Sequence, residues 1–150
     1  MSLDVAGVLA KLQSHAQSTG HFEQVLLHEP KSAPGQGVTL CLWLGPIFPA
    51  SSGLDNVSMV MVVLQRLYVP FLQSPEDAID SGLWAAIDPV IQSYATDFTL
   101  NGAARAIDFF GEHGVPFRAE PGYLNQDGTV FRVIELDVPV IVNDCYQEGE

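Results

Sequence analysis

Glu135 and Asp137 stand two residues apart in YLNQDGTVFRVIELDVPVIVND, residues 123–144, the most regular extended pattern in the chain. On one face of a strand they project side by side, so they could work as an acid/base pair or hold a cation. No histidine or third ligand accompanies them, and a solvated or interfacial sheet face is the simpler reading. The histidines His15, His21, His28 and His113 show neither H-x-x-x-H nor H-E-x-x-H spacing, so surface or interface positions suit them better than a metal site. Cys41 lies in an apolar strand pattern with no second cysteine near it, and Cys145 lies far away near the C-terminus. That arrangement predicts two free thiols, the first of them buried and inert.

Other candidate motifs fail on context. Ala50-Ser51-Ser52-Gly53 lacks the leading glycine of a nucleophile elbow, and Gly35-Gln36-Gly37 precedes a strand instead of opening a helix. Asn56-Val57-Ser58 matches a glycosylation sequon but comes without a secretory signal. Glu76, Asp77 and Asp80 read as the charged first turn of a helix. The sequence therefore predicts no catalytic residue, no metal site and no cofactor, and the expectation is a protein that is not an enzyme.

The elements that position these residues follow from periodicity. Residues 3–19 carry Val5, Val8, Leu9, Leu12 and Ala16 at helical spacing, with Ser2 or Asp4 at the start and Gly20 at the end. A short strand is expected over Phe22–Glu29, then a Pro/Gly loop, then a cleanly alternating strand over Val38–Leu44. Gly45–Asn56, GPIFPASSGLDN, reads as a long loop that holds the apolar residues Ile47, Phe48 and Leu54. Val57–Val69 reads as a central strand. Ser74-Pro75-Glu76-Asp77 signals a helix start, with Ile79, Leu83, Ile87, Ile91 and Tyr94 as its buried stripe and Pro89 predicting a kink or break. Ala103–Phe110 is a further strand candidate, and Gly111–Gly114 is a turn.

Pro116–Tyr123 then forms the first arm of a hairpin. A four-residue loop at Asn125–Gly128 would set Arg118 opposite Glu135. In the second arm Val130, Arg132, Ile134, Leu136, Val138, Val140 and Val142 share one face. Thr129, Phe131, Val133, Glu135, Asp137 and Ile141 share the other, and Pro139 demands a bulge or an edge. The sum is one α+β domain over residues 1–150. Its mixed, mostly antiparallel sheet is covered by an N-terminal helix and a long central helix, and it closes with a long C-terminal β-hairpin.

Composition narrows the role. At 150 residues the chain holds one core, and 47% of its residues are hydrophobic. Only 16% are charged, below the roughly 25% of ordinary soluble domains. Either a large core or a surface partly buried against further copies accounts for that. There is no apolar run of about 18 residues, so no membrane span is expected. The net charge of −12, from 18 acids and six bases, would repel a phosphate backbone, which excludes a conventional nucleic-acid binder but suits a wall past which DNA slides. The N-terminal MSLDVAGVLAKL has no basic region followed by an apolar core, and the expected setting is a reducing cytoplasm.

Asp97-Phe98-Thr99-Leu100-Asn101-Gly102, Ala106-Ile107-Asp108, Gly111–Gly114, Gly122-Tyr123-Leu124-Asn125, Phe131-Arg132-Val133 and Pro139-Val140-Ile141-Val142-Asn143-Asp144 together resemble the tail terminator family of long-tailed bacteriophages of the siphovirus type, particularly those of actinobacterial hosts. The resemblance covers about the last third of the chain; the earlier elements agree in order only. It implies a small α+β virion protein, assembled in the host cytoplasm, that forms a six-fold ring at the head-proximal end of the tail. Such a ring stops polymerisation of the tail tube protein, offers a surface to head-completion or neck proteins, and leaves a channel through which DNA passes without specific binding. The family brings no catalytic residues. Candidate contact residues are Ile47, Phe48, Leu54, Arg118, Tyr123, Asn125, Asp127, Glu135 and Asp137. Another neck or connector protein is one alternative. A stand-alone small-ligand-binding α+β domain with its pocket beneath Gly45–Asn56 is the other.

Overall fold

The computed structural model describes residues 3–20, 22, 24–29, 38–51, 56–70, 79–97, 99–100 and 102–147. In chain order the elements are α1 (Val5–Ser18), β1 (Gln24–Leu26), β2 (Thr39–Ser51), β3 (Asn56–Pro70), α2 (Ile79–Thr96), β4 (Ala106–Ile107), β5 (Arg118–Gln126) and β6 (Thr129–Gln147). The strands form one mixed sheet in the order β1-β2-β3-β6-β4, with β5 beside β4 along the same margin of β6. Among the described residues only β1 and β2 run parallel, and every other pairing is antiparallel. The expected α+β class and order of elements both hold.

Both helices lie on one face of this sheet. α1 starts where the Asp4 carboxylate accepts the Gly7 N–H at 3.0 Å and ends at Gly20, whose φ of 74° and N–H to Gln17 O close the last turn. Its Val8, Leu12 and Ala16 join Ile79, Leu83, Ile87, Val90 and Tyr94 of α2 over the sheet. The sheet supplies the alternate residues that point toward them: Leu40 and Leu42 from β2, Met61, Val63, Leu67 and Val69 from β3, and Ile134, Leu136, Val138 and Val140 from β6. On the opposite face, left open by the helices, Tyr68, Phe131 and Val133 form a smaller core with Leu124 against it. The face assignment read from residues 129–142 therefore stands, since alternation follows from strand geometry alone.

Several boundaries differ from the sequence reading, each for a physical reason. Gly45–Asn56 is not a loop in its first half: β2 continues through residues 45–51, with Ile47 opposite Met61 and Phe48 opposite Val60. A bulge absorbs the Gly-Pro signal, because Gly45 and Pro46 together face Val62, and a Cβ on Gly45 would lie 2.7 Å from the Val62 carbonyl oxygen. Pro89 does not break α2, which runs unbroken from Ile79 to Thr96. The Ser74-Pro75 start lies outside the described residues. Only Ala106–Ile107 of the expected Ala103–Phe110 strand pairs; the rest turns.

The hairpin is tighter than expected. Gln126 pairs with Thr129, so the connection is the two-residue turn Asp127-Gly128, both with positive φ (52° and 78°). That register sets Arg118 opposite Asp137 and Glu120 opposite Glu135, correcting the expected Arg118–Glu135 pair. Pro139 takes the edge option and not the bulge. Beside it β5 pairing ends at Asp137 and β4 pairing begins at Val140, while its carbonyl accepts the Asp108 N–H across that gap at 2.9 Å. The bulge in β6 falls later, where residues 143–145 lie opposite Ser58.

Candidate functional site

The open face is organised around Arg66. Strand alternation turns Arg66 and Tyr68 of β3 away from the helices, beside Trp43 of β2 and Glu135 of β6. The Arg66 guanidinium lies 5.2 Å from the Trp43 ring centre and 5.8 Å from that of Tyr68. Its Nε donates to Glu135 Oε1 at 2.9 Å, one terminal nitrogen donates to the Tyr68 hydroxyl at 2.9 Å, and Glu29 Oε1 lies 3.8 Å from that nitrogen. Burial alone would lower the Arg66 pKa; the Tyr68 and Glu135 contacts outweigh it and hold the charge more firmly. Burial pushes the Cys41 thiol up to about 11, against the lowering pull of Arg66, and it also raises the Tyr68 phenol. At neutral pH this face presents a fixed cation with a protonated thiol and a protonated phenol. It is a cation–π and ion-pair platform.

The remaining candidates spread along the neighbouring strands. Asp137 lies between Leu64 of β3 and Arg118 of β5, and Arg118 itself donates to Glu120 Oε2 at 2.6 Å. Glu135 and Glu120 face one another across β6 and β5, both exposed, leaving this part of the face acidic. Tyr123 belongs to the helix-side face of the hairpin. The Arg132 guanidinium sits 4.4 Å from its ring centre and also donates to Asp80 of α2 at 2.8 Å and to the Gly122 carbonyl at 3.1 Å. These contacts tie the middle of the hairpin to α2. Asn125 is exposed near the hairpin end and Asp127 forms its turn. Ile47 and Phe48 are on β2, at the far side of the sheet, and Leu54 lies outside the described residues. The structure thus groups Glu135, Asp137 and Arg118, and it separates them from Ile47 and Phe48.

Three features escape sequence reading. His15 Nε2 lies 2.9 Å from Asp97 Oδ2 and its Nδ1 lies 2.7 Å from Ser93 Oγ, joining the end of α1 to the end of α2. The residue types match a hydrolytic triad, but Ser93 is in the last turn of α2, where carbonyl groups and the negative helix end oppose an oxyanion. The arrangement serves as a latch between helices. Second, the buried Asp108 carboxylate accepts the Glu112 and His113 N–H groups, both at 3.0 Å, and so shapes the turn after β4. Third, Phe110 in that turn is 91% exposed. Its signal is the Gly111–Gly114 pair just behind it, which marks a turn without revealing which side chain the turn displays.

A cavity of about 350 Å³ adjoins the same turn, lined by Ala95 of α2, Ile107, Phe109, Phe110 and Ile141 together with Arg105 and His113. It is not where the ligand-binding alternative places a pocket, beneath residues 45–56. Among the described residues no three His, Cys, Asp or Glu side chains converge to hold a metal ion. No described helix is long and apolar enough to cross a membrane.

Comparison with known proteins finds likeness among solved structures but not among family models or curated proteins. No family model matches the sequence, and no curated protein matches it. Among solved structures, the chain is similar to a PVC sheath/tube terminator of an extracellular contractile injection system in the extended state, with a TM-score of 0.47 and 11% identity. All of this chain is covered, against 60% of the other, so it spans less than two thirds of that protein's length.

Proposed function

We propose that this chain is a structural virion subunit of the tail terminator type. Copies form a ring on the finished end of a tail tube, stop addition of tube protein, present their other face to head-completion or neck proteins, and leave a central channel for DNA. One observation carries the reading: in a chain of net charge −12, exposed large apolar side chains stand at the two opposite lateral margins of a single sheet. Leu44 and Ile47 are on β2 at one margin; Phe110, Tyr123 and Val130 lie at or beyond β6 at the other. Apolar surface at both margins of a plate suits repeated side-by-side association.

The resemblance of the last third of the chain to tail terminators supports the same role. So does the open face, whose two arginines, Arg66 and Arg118, are paired with Glu135 and Glu120 while Asp137 and Glu29 leave it acidic; such a wall repels DNA that must pass without sticking. Native mass measurement of the purified chain, alone and mixed with tail tubes, is the test. The expected result is a closed ring that binds only tube ends. A monomer carrying a bound metabolite, or tails of normal length assembled without this protein, would overturn the reading.

A further inference from the structure

The cavity beside the Phe110 turn combines apolar lining with an uncompensated cation. Its volume of about 350 Å³ falls at the lower end of the roughly 300–1,000 Å³ of ligand sites. Ala95, Ile107, Phe109 and Ile141 make much of the lining apolar, and Arg105 brings a guanidinium to it. Arg66, Arg118 and Arg132 form ion pairs with carboxylates at 2.9, 2.6 and 2.8 Å. Among the described residues Arg105 forms none; it donates to the neutral Asn143 amide oxygen at 3.3 Å. In a chain of 18 acids and six bases, this one arginine therefore keeps its charge, and most of its five N–H donors, unmatched by an acid.

We propose that this cavity binds a carboxylate carried on an apolar body, with Arg105 as its charge partner. A planar carboxylate accepts two parallel N–H bonds from a guanidinium. The two acids of the lining do not satisfy Arg105. The buried Asp108 carboxylate accepts the Glu112 and His113 N–H groups, both at 3.0 Å, so its charge is already met. Glu112 is exposed, where water and salt screen it. His113 is half-buried in the lining, and its imidazole carries an N–H in either neutral tautomer, a second donor to the same cavity. A phosphate dianion fits less well: one arginine cannot balance two charges while Asp108 and Glu112 stand in the same lining, and phosphate has no apolar part to cover Ile107 and Phe109. A wholly apolar ligand would cover the Arg105 donors without giving them an acceptor. Two sources carry the required chemistry, a small carboxylic acid and the C-terminal residue of a polypeptide.

The backbone of this site is fixed before a ligand arrives. The Arg105 N–H donates to the Ile141 carbonyl at 2.8 Å and the Asp108 N–H to the Pro139 carbonyl at 2.9 Å, which ties residues 105–108 to β6. Phe109 packs against Phe117 with ring centres 5.2 Å apart. Binding then costs the ordering of the Arg105 side chain and little more. The inference is independent of the ring-forming reading, since a monomer and a ring carry the same cavity.

Titration of the full chain followed by NMR tests the site with three probes: N-acetyl-leucine, its amide, and the tripeptide acetyl-alanyl-alanyl-leucine with a free C-terminus. The two acids are expected to shift resonances of residues 105–113 and 141, and the amide to bind at least about tenfold more weakly. Tighter binding of the tripeptide than of N-acetyl-leucine would assign the site to a chain terminus; exclusion of the tripeptide would assign it to a small acid. Arg105→Gln is expected to bring the acid down to the level of the amide, and Arg105→Lys, which keeps the charge without the fork, to fall between. Lys11→Gln, on α1 and outside the lining, is expected to bind as the unaltered chain does. Equal binding of acid and amide would overturn the inference on the unaltered chain, with no variant needed. So would shifts that map elsewhere, full affinity in Arg105→Gln, an equal loss in Lys11→Gln, or inorganic phosphate that displaces N-acetyl-leucine at equal concentration.

Discussion

Gln65 and Tyr94 satisfy each other inside the apolar layer between sheet and helices. The Gln65 amide donates to the Tyr94 hydroxyl at 2.9 Å, and that hydroxyl lies 3.2 Å from the Gln65 amide oxygen. Both side chains are fully buried. Tyr94→Phe strands a buried amide and is expected to cost about 1–3 kcal/mol in urea unfolding. Tyr94→Phe combined with Gln65→Leu removes both partners and is expected to recover most of that loss. Additive losses in the double variant would show that the two groups do not depend on one another.

Arg66 contacts Glu135, Tyr68 and Trp43 at once, which a single ammonium cannot do. Arg66→Lys is expected to cost about 1 kcal/mol, and Glu135→Gln less than about 0.5 kcal/mol, because that carboxylate is half exposed and its ion pair is screened. Chemical denaturation of both variants at low and high salt measures the difference. Equal losses would assign the stability of this face to the ion pair instead of the ring contacts.

Alkaline pH acts through the buried acids of the core. Burial raises the Cys41 thiol from 9.0 to about 11 and raises the Tyr94 and Tyr68 phenols above their ordinary 10.0. The unfolded chain loses these protons first, so their contribution is fully present below about pH 9 and declines as pH rises from there through the folded values. Melting temperature followed from pH 7 to 11 is expected to fall above about pH 9, and Cys41→Ala is expected to flatten the first part of that fall. A disulfide-forming thiol reagent at pH 8 is expected to leave Cys41 unlabelled until the chain unfolds.

Gly111 is the hinge of the Phe110 turn. Its φ of 72° suits glycine, and a Cβ there would lie 2.7 Å from the Pro116 nitrogen. Gly111→Ala is expected to destabilise the fold by about 1–3 kcal/mol and to weaken assembly together with it. Asp108→Ala removes the acceptor for two N–H groups and is expected to act in the same direction in thermal unfolding and assembly assays. Assembly of Gly111→Ala at the unaltered level would show that Phe110 needs no fixed presentation.

Legibility tracked locality. The alternation of residues 129–142, the Asp4 and Gly20 caps, the buried stripe of α2 and the order of elements were readable because each depends on neighbours in the chain. The Gly-Pro signal at residues 45–46 misled for the same reason. A local loop signature and a β-bulge look alike until the opposite strand, here Val62, is known.

Sequence alone settled that two helices and a mostly antiparallel sheet would bury an aliphatic layer, and that Glu135 and Asp137 would share the opposite face. Tertiary structure decided who meets whom: Arg66 reaches Glu135 across 69 residues, His15 bridges to Ser93 and Asp97, and Ile47 and Ile107 become the two ends of one row. Side-chain direction is imposed by backbone geometry residue by residue. Strand neighbours and register are chosen by burial summed over the whole sheet, a quantity that no short stretch of the chain contains.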